Sequence, residues 1–367
     1  MRPDFENRPL LVFWETTKAC PLACRHCRAN AAPFPLEDEL TDEEGIALIR
    51  SISDFGSAKP AVVLTGGDCM LRRNLISLIQ EARNCAVPVA ISPSVSEMLT
   101  NSSLKNIAAA GVRSVSVSLD GATPETHESI RGRKGHFSET LSAIRRLNEL
   151  GFHVQVNTTV MSENIEQLSD IAFILQRLGI RVWEIFFLVS TGRGERLKDL
   201  SPEQCEDVCN FLADITRYGF VVRTVEAPFF RRILLQRRIL RSEPHDMSGL
   251  HSRLTRKMRI KMGSPILSYA DVGLPTRDGN GLIFVAHNGD IYPSGFLPYR
   301  LGNVRSDNIV QIYRNSAVLK VLRNGKFGGK CGICEYRHIC GGSRARAYSV
   351  YGDMFAQDPA CIYVPSS

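Results

Sequence analysis

Leu10-Leu-Val-Phe-Trp-Glu-Thr16 runs almost directly into Lys18-Ala-Cys20-Pro-Leu-Ala-Cys24-Arg-His-Cys27. A short apolar run of this kind reads as a strand, and the cysteines fall on the loop that leaves it. The same theme of apolar run, polar turn and helix-period segment recurs to about Ser190, with further strand candidates at 61–65, 88–91, 113–119, 153–159 and 182–188. Between them, Thr41 and Glu44 form a capping box, 138–150 reads as a helix closed by Gly151, and 164–178 as one closed by Gly179. Strands alternating with helices predict an α/β fold with parallel strands. Continuous apolar strands suit a sheet buried on both faces, which leaves a parallel barrel and a doubly wound sheet both open. In either fold, ligands sit at the C-terminal ends of the strands, where the cysteine loop lies.

The loop motif is CxxxCxxC. Three thiolates on one short loop can converge on one iron-sulfur cluster, because soft sulfur ligands are what such clusters prefer. Three ligands on a 4Fe-4S cubane leave one iron open for a substrate or cofactor to chelate. Zinc is the alternative, but a structural zinc site wants four ligands in paired CxxC spacing, and His26 as the fourth would be cramped between two of the cysteines.

CxxxCxxC after a first strand resembles the signature of the radical SAM enzymes, whose core is a partial (β/α)6 TIM-like barrel. The resemblance implies that Cys20, Cys24 and Cys27 ligate a 4Fe-4S cluster whose open iron binds the amino and carboxylate groups of S-adenosylmethionine. One-electron reduction would then release a 5'-deoxyadenosyl radical that abstracts hydrogen from substrate. Other positions match the family in order along successive strands. His26 implies an adenine contact through its backbone. Thr65-Gly66-Gly67-Asp68 resembles the family's GGE element, where backbone and carboxylate meet the cofactor's ammonium and glycines allow close approach. A tight turn with a solvated Asp68 is the alternative. Cys69 stands where many relatives have proline, and its thiol is assigned no role. Ser118 is the implied ribose contact, while Asp120 equally reads as the cap of a helix beginning near Thr123. Arg131 matches a stretch that supplies a cation for the cofactor's carboxylate, against the alternative of a surface arginine. Asn157, polar among apolar neighbours, is a candidate cofactor contact. Leu188, in the run 186–189, would wall the adenine or simply pack in the core.

Seven of the eleven cysteines fall in two groups. The second group is Cys331-Gly-Ile-Cys334-Glu-Tyr-Arg-His-Ile-Cys340, with Cys361 further on. This CxxCx5C spacing with a distant cysteine resembles the SPASM/twitch extension of the same family, with a zinc ribbon as the alternative. A full SPASM domain would need cysteines near Ser294 and just after Cys340, where this chain has Ser294 and Gly341-Gly-Ser343-Arg344. The resemblance therefore implies one auxiliary 4Fe-4S cluster, fully ligated by Cys331, Cys334, Cys340 and Cys361, and two clusters in all. The expected organisation is a radical SAM core over 1–200, a helical basic linker over 201–280 and a small C-terminal twitch/SPASM-like iron-sulfur domain over 281–367. Asn288-Gly289 within 283–292 is a hairpin signal.

In the linker, 201–218 reads as a helix with Cys205 and Cys209 buried on one face. Arg231, Arg232, Arg237, Arg238, Arg241, Arg253, Arg256, Lys257, Arg259 and Lys261 read as a solvated helix face or a loop that orders on substrate, with carboxylate or phosphate binding as the alternative. The net charge of +7 suits an acidic substrate, and no nucleic-acid motif accompanies it. No apolar run approaches the roughly 20 residues of a membrane helix. Residues 1–9 are polar, unlike a secretory signal, so a cytoplasmic protein without membrane partners is expected.

The blocks TGGD, SLDGATPETH, NTTV, FFLVSTGRG, YPSGFLP and CGICEYRHICGGSRARAYSVYGD resemble a SPASM subgroup near the siroheme-pathway heme synthases. Those relatives oxidatively decarboxylate propionates of iron-coproporphyrin III, and the basic segment would suit a substrate with four carboxylates. Similar CxxCx5C-GG-x-RARAY segments occur in maturases of ribosomal peptides, including the mycofactocin precursor. A small acidic substrate or a peptide is thus expected, and the short stretch ahead of the first strand leans toward the non-peptide. A non-enzymatic cluster or zinc protein is a third reading. The resemblance also implies a flavodoxin- or ferredoxin-type electron donor. No catalytic residue is assigned beyond the cofactor contacts.

Overall fold

The computed structural model describes residues 4–240 and 249–366, so Arg241 of the basic segment lies outside the described residues. Its strands are β1 (Leu11–Glu15), β2 (Ala61–Thr65), β3 (Val89–Ile91), β4 (Ser114–Ser118), β5 (His153–Val160), β6 (Val182–Phe187), β7 (Val221–Val225), β8 (Leu282–Val285), β9 (Asp290–Tyr292) and β10 (Gly302–Asn303). Two compact units divide the chain: Met1–Val117 with Glu139–Val154 and Thr276–Asn324, and Ser118–Ser138 with Gln155–Pro275 and Gly325–Ser367.

In the first unit β1 lies between β2 and β8, parallel to both, with Leu11 opposite Ala61 and Leu282. The parallel order continues through β3 to β4. Beyond β8, the Asn288-Gly289 turn leads into antiparallel β9, and Gly289 takes the positive φ of +86° that such turns demand. Burial alternates along β1 and β2: Val12, Trp14, Val62 and Leu64 are fully enclosed, while Leu11, Phe13, Ala61 and Val63 are only half-buried. The expectation of strands buried on both faces is therefore corrected, since one face is sealed and the other partly open. The sealed face packs on the helix Asp42–Ser53, where Gly45 makes room for the indole: a Cβ there would stand 2.8 Å from Trp14. That helix starts at the expected capping box, with Glu44 N donating to Thr41 Oγ1 (3.2 Å) and Thr41 N to Glu44 Oε2 (2.8 Å).

In the second unit β5, β6 and β7 are parallel neighbours, and Asn157, Glu184 and Arg223 stand side by side across them. β7 is not among the expected strands. Again one face is sealed, by Trp183, Ile185 and Phe187, while Val182, Glu184 and Phe186 are half-buried. The enclosed Trp183 indole N–H donates to Thr158 Oγ1 (2.9 Å), which donates to the Leu119 carbonyl (2.7 Å).

Most of the remaining expected elements form, including Pro202–Thr216, whose Cys205 and Cys209 are fully buried. Helices Phe230–Leu240 and Leu250–Met262 carry the arginine-rich segment and pack on Pro202–Thr216. The solvated-face expectation fails for two of its members. Arg232 and Arg237 are buried, paired with Glu206 and with Asp214 (2.6 Å), because a guanidinium taken out of water needs a carboxylate. Arg253 pairs with Glu166, and Lys257 and Lys261 share Asp170. Among the described residues no helix is long and apolar enough to cross a membrane.

Candidate functional site

The loop after β1 carries Cys20, Cys24 and Cys27. Its ends are stapled by Cys20 N donating to Ala32 O (2.8 Å) and Ala32 N to Lys18 O (2.9 Å). Inside the staple, Cys20 and Cys24 are buried around Leu22, with Cys27 packed against them. Glu39 fixes the entry to the loop by accepting from Thr17 Oγ1 (2.9 Å) and Lys18 N (2.8 Å). Burial pushes the Cys20 thiol up, against the lowering effect of Ser94, whose Oγ lies 3.4 Å from the sulfur. His26 is half-buried between Cys24 and Cys27. Three sulfurs gathered on one stapled loop fit a three-thiolate cluster site.

Gly66 and Gly67 serve this loop directly. Gly67 N donates to Thr17 O (2.8 Å) and Asp68 N to Ala19 O (2.7 Å), tying the exit of β2 to the exit of β1. A Cβ on Gly66 would stand 2.4 Å from Thr17 O, and one on Gly67 2.3 Å from Ala19 O, so only glycine permits the approach. Asp68 is fully buried rather than solvated. Its carboxylate accepts from Ser96 Oγ (2.7 Å), Met70 N (3.1 Å) and Ser94 N (3.3 Å), and burial raises its pKa despite those donors.

One group beside the loop was not legible in the sequence. Glu15, at the end of β1, is 2% exposed and accepts from Arg28 Nη2 (2.9 Å), while His287 Nδ1 lies 2.9 Å from its other oxygen. Arg28 also donates to Gly295 O (2.9 Å) and lies 4.6 Å from the centre of the Phe284 ring. Burial pushes the Glu15 carboxyl up, but His287 and Arg28 outweigh it and hold it below the usual value. The residue after Cys27 is thereby pinned to the 284–296 hairpin region.

The second unit holds the remaining expected cofactor contacts. Ser118 is half-buried at the end of β4. Asp120 does not cap a helix: Thr123 caps the helix Pro124–Arg131, and Asp120 instead pairs with Arg131 (2.6 Å) and accepts from Thr159 N (2.7 Å). Arg131 is accordingly no surface arginine. Asp120 N donates to His127 Nδ1 (3.1 Å), which leaves His127 Nε2 to donate to His136 Nδ1 (2.8 Å). Asn164, fully buried and unmarked in the sequence, donates to both Asp120 O and Thr159 O (2.8 Å each). Asn157 accepts from Gln155 Nε2 (2.9 Å), which also donates to Glu184 Oε2 (2.8 Å). Leu188 packs with Ile130 and Met161.

Cys331, Cys334, Cys340 and Cys361 line one partly open cavity with Arg232, Lys330 and Asp358 among its walls. N–H groups point at the sulfurs: Asp358 N to Cys331 (3.3 Å), Gly342 N to Cys340 (3.4 Å) and Arg344 Nη2 to Cys331 (3.6 Å). A Cβ on Gly342 would stand 2.3 Å from Arg344 Nη2 and 3.0 Å from the Cys331 sulfur, so the cradle is shaped down to one glycine. Burial pushes Cys340 up to about 12 and Cys361 up to about 11. Among the described residues no group of three or more His, Cys, Asp or Glu side chains is drawn together tightly enough for a single metal ion. Four thiols lining one cavity and met by N–H donors are the soft donor set that an iron-sulfur cluster takes.

Residues 14–175 match the family model of the Radical SAM superfamily. An AdoMet-dependent heme synthase of Nitratidesulfovibrio vulgaris is 34% identical over 359 residues, covering 97% of this chain and 92% of that protein. An AdoMet-dependent heme synthase of Methanosarcina barkeri is 32% identical over 361 residues, covering 98% of each. Among solved structures, Streptococcus suis SuiB bound to S-adenosylmethionine shares the fold with a TM-score of 0.69 at 14% identity, covering 97% of this chain and 78% of that chain. With that likeness along nearly its whole length, and a three-cysteine loop at the exit of its first strand, the chain belongs to the radical SAM superfamily and is a radical SAM enzyme.

Proposed function

We propose that this enzyme oxidatively decarboxylates propionate side chains of iron-coproporphyrin III, using S-adenosylmethionine. The observation that carries this reading is the end-to-end likeness, at 32–34% identity, to proteins named AdoMet-dependent heme synthases. Radical SAM enzymes use a 4Fe-4S cluster with S-adenosylmethionine; when bound, the cluster supplies the electron that cleaves the cofactor and starts hydrogen abstraction.

Cys20, Cys24 and Cys27 hold that cluster in this reading, with His26, Gly66, Gly67 and Asp68 around the cofactor's methionine and adenine ends. Asp120 aims Arg131 at the cofactor carboxylate, Ser118 and Asn157 meet polar groups of the nucleoside, and Leu188 supplies an apolar wall. Cys331, Cys334, Cys340 and Cys361 hold a second, fully ligated 4Fe-4S cluster suited to electron transfer or structural support. The function is divided along the chain as core over 1–200, basic connection over 201–280 and auxiliary-cluster segment over 281–367. A flavodoxin- or ferredoxin-type protein in a reducing, low-oxygen cytoplasm supplies electrons.

The test is anaerobic turnover with dithionite and iron-coproporphyrin III, following 5'-deoxyadenosine and the porphyrin mass together. The expected result is 5'-deoxyadenosine matched by loss of carbon dioxide and two hydrogens per propionate. Abundant 5'-deoxyadenosine with an unchanged porphyrin refutes the substrate, and none at all from an iron-loaded chain refutes the cofactor assignments.

A further inference from the structure

The helix Arg344–Tyr351 follows Cys340 by three residues, and its first turn reaches two strand exits of the same unit. Arg346, 3% exposed, donates from Nη2 to Leu188 O (3.0 Å) just beyond β6 and from Nη1 to Glu226 O (2.7 Å) just beyond β7. Its Nε faces Asp199 (3.3 Å), and Asp358 stands 3.9 Å away. Ser349 Oγ adds a bond to Ser190 O (3.2 Å). On the other side, Ser343 hydrogen-bonds the Glu226 carboxylate through its hydroxyl, while its N–H donates to Asp358 Oδ2 (2.7 Å). Asp358 N in turn donates to the Cys331 sulfur.

These contacts form an unbroken line from a second-site cysteine to the strand exits: Cys331, Asp358, Ser343, Glu226, then Arg346 and Leu188. Glu226 is a non-glycine residue at φ +59°, a left-handed conformation that persists only where surrounding contacts hold it. Here its carbonyl and its carboxylate are both held from the 343–346 turn. Leu188 packs on Ile130 and Met161, so the line ends at that apolar cluster.

We propose that Ser343, Glu226 and Arg346 are positioning residues forming a clamp, through which loading of the second cysteine site orders the β6 and β7 exits and the Leu188 wall. This rests on the reading that Cys331, Cys334, Cys340 and Cys361 hold a cluster. A bound cluster fixes the Cys331 sulfur and with it Asp358 and the 341–346 turn. Without it, the turn loses the anchor that keeps Glu226 and Leu188 in place.

The test is amide hydrogen exchange on the full chain reconstituted anaerobically, with iron counted on the same samples. Exchange at 186–190 and 225–228 in the Cys331→Ala/Cys334→Ala variant should rise about tenfold over the loaded wild type, the size of one lost hydrogen bond, while 61–65 in β2 stays protected. Ser343→Ala keeps the backbone N–H that serves Asp358, so it should retain wild-type iron yet show the same rise. Glu226→Gln keeps an acceptor for the hydroxyl and should behave as wild type where Glu226→Ala does not. Unchanged exchange at 186–190 in both the unloaded chain and Ser343→Ala overturns the clamp and leaves the cluster reading standing. A wild type that takes no iron at the second site overturns both.

Discussion

Gly67→Ala should empty the first cysteine site while the second stays loaded. The added Cβ would stand 2.3 Å from Ala19 O and 2.6 Å from Lys18 O, against the 3.4 Å at which ordinary contact begins. Both neighbours are backbone, so no rotamer change relieves the clash. Relief requires the exits of β1 and β2 to part, which breaks the Gly67 N to Thr17 O and Asp68 N to Ala19 O bonds. Two hydrogen bonds at about 1 kcal/mol each and an overpacking strain of about 1–3 kcal/mol put the local cost at about 3–5 kcal/mol. That is a large share of a domain's whole stability, but it falls on one loop, and a loop can open without the chain unfolding. Gly151→Ala is the matched control: φ is +78° with open space around it, so alanine there costs only the left-handed backbone, about 1 kcal/mol. Iron is counted after anaerobic reconstitution, with circular dichroism to verify the fold. The expected outcome is loss of about four irons per chain in Gly67→Ala and none in Gly151→Ala. A Gly67→Ala protein with the full iron complement and an unshifted melting curve would refute the reasoning.

Three further outcomes follow from the buried pairs. Asp214 accepts from Arg237 (2.6 Å) and faces His251 Nε2 (2.7 Å) and Tyr269, and although burial pushes its carboxyl up, His251 and Arg237 outweigh that and hold it below the ordinary 3.8. Its stabilising contribution is therefore complete above 3.8 and is lost as pH falls through the lower folded value; Asp214→Asn should cost about 3 kcal/mol in urea unfolding at neutral pH and flatten the acid limb of the stability profile. Arg131→Gln leaves Asp120 without its cation and removes a charged donor, so S-adenosylmethionine should bind at least about tenfold more weakly by calorimetry at unchanged iron content. Glu15→Gln takes the charge from between Arg28 and His287 and should lower unfolding stability by about 3 kcal/mol, whereas an unchanged urea midpoint would show the trio to be idle.

The six amino-proximal strands were legible because each is a short apolar run bounded by turn residues, and each formed within a residue or two of its expected span. The cysteine groups were legible because metal ligands must be particular residue types at short spacings. β7 was not, because Val221-Val-Arg-Thr-Val225 is a half-exposed strand whose alternation is too short to stand out. Nor was the parallel pairing of β8 with β1, since nothing local in 282–285 records a partner some 270 residues away. The arginine-rich segment misled because a run of cations reads as solvent-facing until its carboxylates are known, and Glu206 and Asp214 come from a helix earlier in the chain. Glu15 and Asn164 went unnoticed for a related reason: each matters through partners brought by other elements.

Cys205 and Cys209 sit fully enclosed on one helix, and Cys69, next to Asp68, is enclosed as well, whereas Cys331, Cys334, Cys340 and Cys361 line a cavity. A thiol with no path to solvent cannot be reached by an electrophile or by iron. In a folded chain, iron and sulfide arriving from outside would therefore find those three sulfurs closed to them. Of the four cysteines outside the two groups, packing closes these three and leaves only Cys85 half-buried, so on the proposed two-cluster reading misplaced assembly is limited by packing rather than by scarcity of sulfur.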